Sequence, residues 1–128
     1  MTKIFLGGTC NGSKWRDTLV PLLQIDSFNP VVENWTEECM KRELQERETC
    51  DYCLYAITPK MTGVYSIAEV VDDSNKRPQK TILVILEKDE DQSFSPVQLK
   101  SLKATAKLVA SNGSQVFYSL EEVASKLK

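Results

Sequence analysis

A glutamate follows a short turn after an apolar segment near the middle of the chain. Residues 52–58 are apolar enough to form a buried strand, and Glu69 falls in the first turns of the helix predicted after the turn at 59–63. Open α/β sheets bind ligands outside the carboxyl ends of their strands, where this carboxylate would lie. Such a glutamate can be a nucleophile, a general base or an acceptor for sugar hydroxyl groups. The alternative is a solvated first-turn glutamate that stabilises the positive end of the helix dipole.

The chain contains no histidine, which excludes Ser-His and Cys-His nucleophile pairs and removes the commonest metal ligand. Acid–base chemistry must therefore come from other side chains, and a carboxylate mechanism is favoured. Cys50 and Cys53 form one CxxC pair, but the four cysteines include no second pair with zinc spacing. We interpret Cys50 and Cys53 as buried structural thiols, and we expect neither a metal nor a cofactor. Cys10 differs because it lies in a glycine-rich loop beside the expected site.

Composition indicates one domain covering residues 1–128. The hydrophobic fraction of 41% and the charged fraction of 27% are ordinary for a globular protein, and the chain is long enough for a proper core. The net charge of −2 gives no basic field for a nucleic-acid polymer. No apolar run has the length of a membrane span and the start has no signal-peptide pattern, so we expect a cytoplasmic protein without a membrane partner.

Strand-like and helical segments alternate along the whole chain. Such crossovers give a parallel sheet, so we predict an α/β fold, a flavodoxin-like three-layer sandwich. Its expected strand order, 2-1-3-4-5, brings the loops at 7–12 and 59–63 to one crevice. Ser13 and Thr36 are predicted N-caps of the first two helices, and 88–95 is a predicted loop. The predicted strands are residues 3–7, 25–28, 51–58, 81–86 and 115–118.

The helix that carries Glu69 has apolar residues at helical spacing. Val64, Ile67, Ala68 and Val71 follow the i, i+3, i+4, i+7 pattern of an amphipathic helix. This pattern predicts that Glu69 lies off the apolar stripe.

Hydroxyl groups precede the glutamate at the spacing of one helical turn. Tyr65 and Ser66 lie four and three residues before Glu69, so they can line the same side of the helix and orient its carboxylate. Gly63 belongs to the loop that leads into them. The structural alternative is a helix start capped by Thr62 with an exposed polar face.

The loop at 7–13 is rich in glycine and small polar residues. It lacks the Gly-Lys-Ser/Thr end of a P-loop and does not match the dinucleotide fingerprint. A plain turn between strand and helix rarely needs so many small residues. We therefore predict close approach of a ligand to Gly7, Gly8, Thr9 and Asn11.

Three further side chains near this crevice have both a functional and a structural interpretation. Trp15 can stack on a flat base or belong to the core. Arg16 can reach a phosphate or pair with a carboxylate. Asn29, before Pro30 at the end of the second strand, can bind a ligand or form a turn.

An ordered set of short segments over residues 3–87 resembles the nucleoside 2-deoxyribosyltransferase-like proteins. This resemblance implies a flavodoxin-like fold that cleaves N-glycosidic bonds, with Glu69 as nucleophile, Gly7 and Gly8 against the ligand, and Glu43 and Asp51 near the pocket rim. The segments are Phe5-Leu6-Gly7-Gly8, Trp15-Arg16, Phe28-Asn29-Pro30, Cys50-Asp51 and Ser66-Ile67-Ala68-Glu69.

The chain departs from this family's pattern in two places. Phe5 stands where transferases often have a tyrosine that steers the nucleophile, and the run before the glutamate contains no aspartate. Asp51, Asp72 or a ligand-bound water are the candidates for the acid that protonates a leaving base.

Three functions remain open on the sequence. The first is N-glycosidic cleavage of a nucleoside or nucleotide, by hydrolysis or base transfer. The second is nucleotide binding without turnover, and the third is NAD glycohydrolase-like activity, which also relies on one glutamate. We further expect a homo-oligomer, because the resemblance implies shared pockets and because Trp35, Met40 and Tyr65 would form an exposed apolar patch.

Overall fold

Five strands form one parallel sheet within residues 2–10 and 12–127, which the computed structural model describes. Its order is β2-β1-β3-β4-β7, with each neighbouring pair parallel, so the predicted flavodoxin-like topology is confirmed. The last strand is the seventh because a small antiparallel hairpin precedes it. The strands are β1 (Lys3–Gly8), β2 (Asp26–Phe28), β3 (Tyr52–Ile57), β4 (Thr81–Ile85), β5 (Lys88–Asp89), β6 (Gln92–Ser93) and β7 (Gln115–Phe117).

Helices cover both faces of the sheet. Buried side chains of the first and last helices pack with one face, and those of the third and fourth helices pack with the opposite face, where Arg47 of the second helix binds Asp73 of the third. This arrangement explains why β3 and β4 are almost continuously apolar, as is typical of strands covered on both sides. The helices are α1 (Trp15–Leu19), α2 (Glu37–Thr49), α3 (Tyr65–Lys76), α4 (Pro96–Ser111) and α5 (Leu120–Lys126).

Two of the helix starts differ from the sequence expectation. Thr36 caps α2 as predicted, since its side chain accepts a hydrogen bond from the backbone of Cys39. Ser13 does not cap α1, because its hydroxyl donates to Asp89 in the hairpin. Thr62 does not cap α3, which begins at Tyr65 without a side-chain cap.

The first helix is also shorter than expected. It ends at Leu19 and continues as a 3₁₀ turn, Val20–Leu22. Pro21 lies in this turn, and a proline has no N–H for the next α-helical hydrogen bond.

The orientation of α3 corrects the prediction from its apolar spacing. Its fully buried face carries Glu69, Val70, Asp73 and Ser74, whereas Val64 is largely exposed. Buried ion pairs with α2 orient this helix, and a hydrophobic pattern cannot report them. Glu69 therefore lies off the apolar stripe, as predicted, but the side of α3 that carries it is the buried one.

The stretch 88–95, predicted as a loop, contains the β5–β6 hairpin. Glu90 adopts a positive φ of 56° at its turn, and the ammonium group of Lys60 pairs with its carboxylate. Together with the bond between Ser13 and Asp89, this pair joins the hairpin to the loops that follow β1 and β3. No helix within the described residues is long and apolar enough to cross a membrane.

Candidate active site

A cavity of about 430 Å³ lies at the carboxyl ends of β1 and β3, where the two predicted loops converge. This volume falls within the range of small-molecule sites, roughly 300–1,000 Å³. Most of the side chains predicted from the sequence line it. These are Gly7, Gly8, Thr9, Arg16, Glu43, Gly63, Tyr65, Ser66 and Glu69.

Glu69 is the most unusual carboxyl group of this cavity. The residue is only 8% exposed, and its Oε2 atom has no hydrogen-bond partner among the described residues. Burial is the main cause that raises the pKa of Glu69 to about 8, and the neighbouring Glu43 raises it further. At neutral pH the carboxyl group of Glu69 is therefore protonated unless a change in its surroundings favours the carboxylate.

Glu43 faces Glu69 from α2 across the cavity wall. Glu43 is half-buried, whereas Glu69 is buried, and the proximity of Glu43 is one of the causes that raise the pKa of Glu69. The site thus contains two neighbouring carboxyl groups in different environments, an arrangement suited to acid–base chemistry.

Arg47 approaches Glu69 from one turn further along α2. Its Nη1 atom lies 3.6 Å from Oε2 of Glu69, and the arginine is itself only 5% exposed. Nη2 donates to Oδ1 of Asp73 at 2.9 Å and to Oδ2 of Asp72 at 3.1 Å. A buried cation is thereby held beside the candidate nucleophile.

The sequence interpretation missed Arg47 and Asp73. Both lie on helices whose many charged residues predict a solvent-exposed face, yet both side chains are buried. Their spacing was the available signal, since Arg47 lies four residues after Glu43 and Asp73 four residues after Glu69. Each helix thus presents two charged groups on one face.

Three predicted site residues do not line this cavity. Trp15 is a core residue, and its indole N–H donates to the carbonyl of Thr9 at 2.7 Å. Asn29 makes a turn instead, accepting from the backbone of Val31. Asp51 precedes β3 at the opposite edge of the sheet, where it accepts from the backbone of Lys3.

Two further expectations have different outcomes. Asp72, a candidate acid, pairs with Arg47 and Lys76 and does not line the cavity. Asn11 lies outside the described residues.

The sequence of this cavity-forming region decides the family. Residues 1–90 match the family described as nucleoside 2-deoxyribosyltransferase like. The chain belongs to the nucleoside 2-deoxyribosyltransferase-like family. The match contains every element that supplies a cavity residue, namely β1, the loops after β1, β2 and β3, and the helices α1, α2 and α3. No curated protein and no solved structure gives a significant match.

The two glycines of this deoxyribosyltransferase-like site are required by the sheet itself. A Cβ atom at Gly8 would lie 2.2 Å from the carbonyl oxygen of Ala56, and the residue has a φ of +114°. A Cβ atom at Gly7 would lie 2.6 Å from the ring of Tyr55. Close packing of β1 on β3 explains both glycines, so their presence does not depend on a ligand.

Arg16 holds the glycine-rich loop of this family member through hydrogen bonds to backbone carbonyl groups. Its Nε donates to the carbonyl of Leu6 at 3.0 Å, and its Nη1 donates to that of Thr9 at 2.7 Å. Burial lowers the pKa of Arg16 to about 10, so it stays cationic at neutral pH. These bonds to carbonyl oxygens are neither of the two predicted roles.

An apolar wall completes the site of this deoxyribosyltransferase-like protein, and sequence reasoning did not assign it. It follows β2 and faces the segment that contains Tyr65 and Ser66. A flat aromatic ligand would pack against these apolar side chains. Its members are Pro30, Val31, Val32 and Trp35, with Phe5 from β1.

Proposed function

We propose that this protein cleaves the N-glycosidic bond of a nucleoside, deoxynucleoside or nucleotide, with Glu69 as the nucleophile. The observation that carries the proposal is the buried Glu69 carboxyl group, which lies with Glu43 in the wall of a cavity of nucleoside size. Membership of the nucleoside 2-deoxyribosyltransferase-like family supports a reaction of the glycosyl-transfer type.

The proposed reaction uses the proton of the Glu69 carboxyl group. This proton moves from Glu69 to the neighbouring Glu43, which leaves Glu69 as a carboxylate. This carboxylate attacks the anomeric carbon, the C–N bond breaks, and its electron pair goes to the leaving base. Glu43 donates the proton to that base. The products of this step are a glycosyl ester on Glu69 and a neutral free base.

A second step releases the sugar. Water or another base attacks the anomeric carbon, and the ester oxygen of Glu69 leaves as a carboxylate. Water gives hydrolysis, and a second base gives transfer. In both cases Glu43 takes up the proton that the incoming nucleophile loses and passes it back to the Glu69 carboxylate, which restores the starting state.

Nucleotide binding without turnover is the second candidate. The raised pKa of Glu69 supports it, because a protonated carboxyl group donates hydrogen bonds and is a poor nucleophile. The same cavity and apolar wall would then hold a nucleotide for sensing or sequestration.

Intact-protein mass spectrometry with a 2-fluoro-2-deoxynucleoside separates the two candidates. We expect the mass of one fluorinated sugar to be added to the wild-type protein and not to Glu69→Gln. Glu33→Gln, on an exposed residue before α2, is the matched control and should still be labelled. A protein that binds nucleosides in a thermal-shift panel without forming the adduct would be a binding module. Release of nicotinamide from NAD would instead indicate an NAD glycohydrolase.

We also propose that residues 1–128 act as one domain in a cytoplasmic homo-oligomer. Trp35, Met40 and Tyr65 support the assembly, since each is more than half exposed and Trp35 and Tyr65 line the cavity. The four free cysteines suit a reducing compartment. Light scattering over a hundredfold concentration range tests the assembly, and a constant mass near 14.5 kDa would contradict it.

A further inference from the structure

The guanidinium group of Arg47 is oriented by carboxylates other than Glu69. Its Nε and Nη2 atoms donate to the two oxygens of Asp73 at 3.2 and 2.9 Å. This bidentate pair fixes the plane of the guanidinium group. Asp73 is itself fully buried and is held by Tyr55 and Arg77. Asp73, rather than Glu69, therefore determines the position of the Arg47 guanidinium group.

The remaining Nη1 atom faces Glu69 at ion-pair distance and makes no hydrogen bond with it. The separation from Oε2 is 3.6 Å, too long for a good hydrogen bond, and Oε2 has no other partner among the described residues. A positive charge at this distance favours the carboxylate form without engaging an oxygen lone pair. A nucleophilic carboxylate needs both properties.

We propose that Arg47, held in place by Asp73, is a positioning residue that makes Glu69 ionisable while leaving its Oε2 atom without a hydrogen bond. This inference rests on the proposed function, since it assigns Arg47 to the same nucleophile. It assigns a role to a residue outside the cavity lining, because Arg47 does not line the cavity.

Burial and three charged groups determine the protonation of Glu69. Glu43 and Arg47 lie near it on α2, and Asp73 lies one turn further along α3, where the Tyr55 hydroxyl group of β3 also binds Asp73. Arg47 favours the ionised form, whereas Glu43 and Asp73 oppose it. Removal of Arg47 and removal of the charge on Asp73 should therefore shift Glu69 in opposite directions.

The test is the titration of Glu69, followed by NMR on protein with ¹³C-labelled glutamate carboxyl groups. The Glu69 signal is assigned from its loss in Glu69→Gln. We expect Arg47→Gln to raise the pKa of Glu69 by about one unit or more, and Asp73→Asn to lower it by a similar amount. Arg77→Gln is the control, because Arg77 also binds Asp73 and should change the titration less than Arg47→Gln does.

A double variant covers the case in which Arg47→Gln does not fold because Asp73 loses its main partner. Arg47→Gln combined with Asp73→Asn removes both buried charges, and its Glu69 should titrate higher than in Asp73→Asn alone. An unchanged titration in this comparison, or shifts of the two single variants in the same direction, would overturn the proposal. The measurement needs no substrate, so a protein without nucleoside turnover can still pass or fail it. The experiment therefore distinguishes a failure of this inference from a failure of the proposed function.

Discussion

The hydroxyl group of Tyr55 donates a hydrogen bond to Oδ2 of Asp73, and both residues are fully inaccessible to solvent. Asp73 also accepts hydrogen bonds from Arg47 and Arg77. One carboxylate therefore joins the centre of the sheet to α2 and to the end of α3. Because Glu69 lies one turn before Asp73, the same connection sets where α3 presents its carboxyl group.

We expect Tyr55→Phe to lower the free energy of unfolding by about 1.5–3 kcal/mol, the contribution of a hydrogen bond to a charged group. The change removes one oxygen from a buried site and leaves Asp73 with two arginine partners. Urea unfolding measures it. Tyr118→Phe, on an exposed tyrosine, should change the stability by less than about 0.5 kcal/mol. Equal effects of the two substitutions would mean that the buried bond adds nothing.

Glu69 should make the protein less stable as the pH rises. Its pKa is about 8 in the folded protein against a usual value of 4.5, so the unfolded chain loses the proton first. The free energy of unfolding therefore falls between about pH 4.5 and 8, and outside this interval the contribution is constant. Glu69→Gln removes this dependence.

The stability gained by Glu69→Gln over the wild type should accordingly be about 1–3 kcal/mol larger at pH 8.5 than at pH 4.5. Denaturant unfolding at both pH values measures the difference. Glu33→Gln controls for the loss of one negative charge at an exposed position. A gain that does not depend on pH would show that Glu69 is ionised in the folded protein.

Gly8→Ala should destabilise the fold by at least about 2 kcal/mol. The new Cβ atom would meet the carbonyl oxygen of Ala56 at 2.2 Å, and a φ of +114° disfavours any other residue. Gly63→Ala is the matched control in the same cavity, since its Cβ atom would meet nothing within 4 Å. Thermal unfolding compares the two. Similar melting temperatures for both variants would refute the close approach of β1 to β3.

Thiol labelling should separate the four cysteines into two classes. Cys10 is exposed, and a hydrogen bond from Thr36 lowers the pKa of Cys39, so both should react in the native protein. Burial raises the pKa of Cys50 to about 11 and that of Cys53 to about 12, so these should react only after unfolding. Peptide mapping after iodoacetamide treatment at pH 8 reports each site.

A bound nucleoside should slow the labelling of Cys10, which lines the cavity, and leave that of Cys39 unchanged. Protection of Cys39 alone would place the ligand elsewhere. Rapid labelling of Cys53 in the native state would contradict its position inside β3.

The sheet order and the meeting of two loops at one crevice could be predicted because both depend on local patterns. Alternating apolar strands and helices determine a parallel sheet, and the switch point follows from its order. The placement of Glu69 beside this crevice could be predicted for the same reason. Its position after β3 does not depend on which face of α3 is buried.

The partners of Glu69 could not be predicted because they are long-range ion pairs. Arg47 and Asp73 are separated by the whole of β3, and a charged residue on a helix normally indicates solvent. The apolar spacing on α3 misled for the same reason. The face that carries the charged residues Glu69 and Asp73 is the buried one, and hydrophobic periodicity does not predict buried charge. Asp51 was misplaced for a different reason: it precedes its strand, and the site lies where strands end.

Every described residue that lines the cavity comes from the first 69 positions of the chain. By contrast, α4 and α5 pack on opposite faces of the sheet and contribute buried apolar side chains to both core clusters. The residues of α4 and α5 thus add to both cores without belonging to the cavity lining. Substitutions at their buried positions can change the stability of the fold without replacing any residue that lines the cavity.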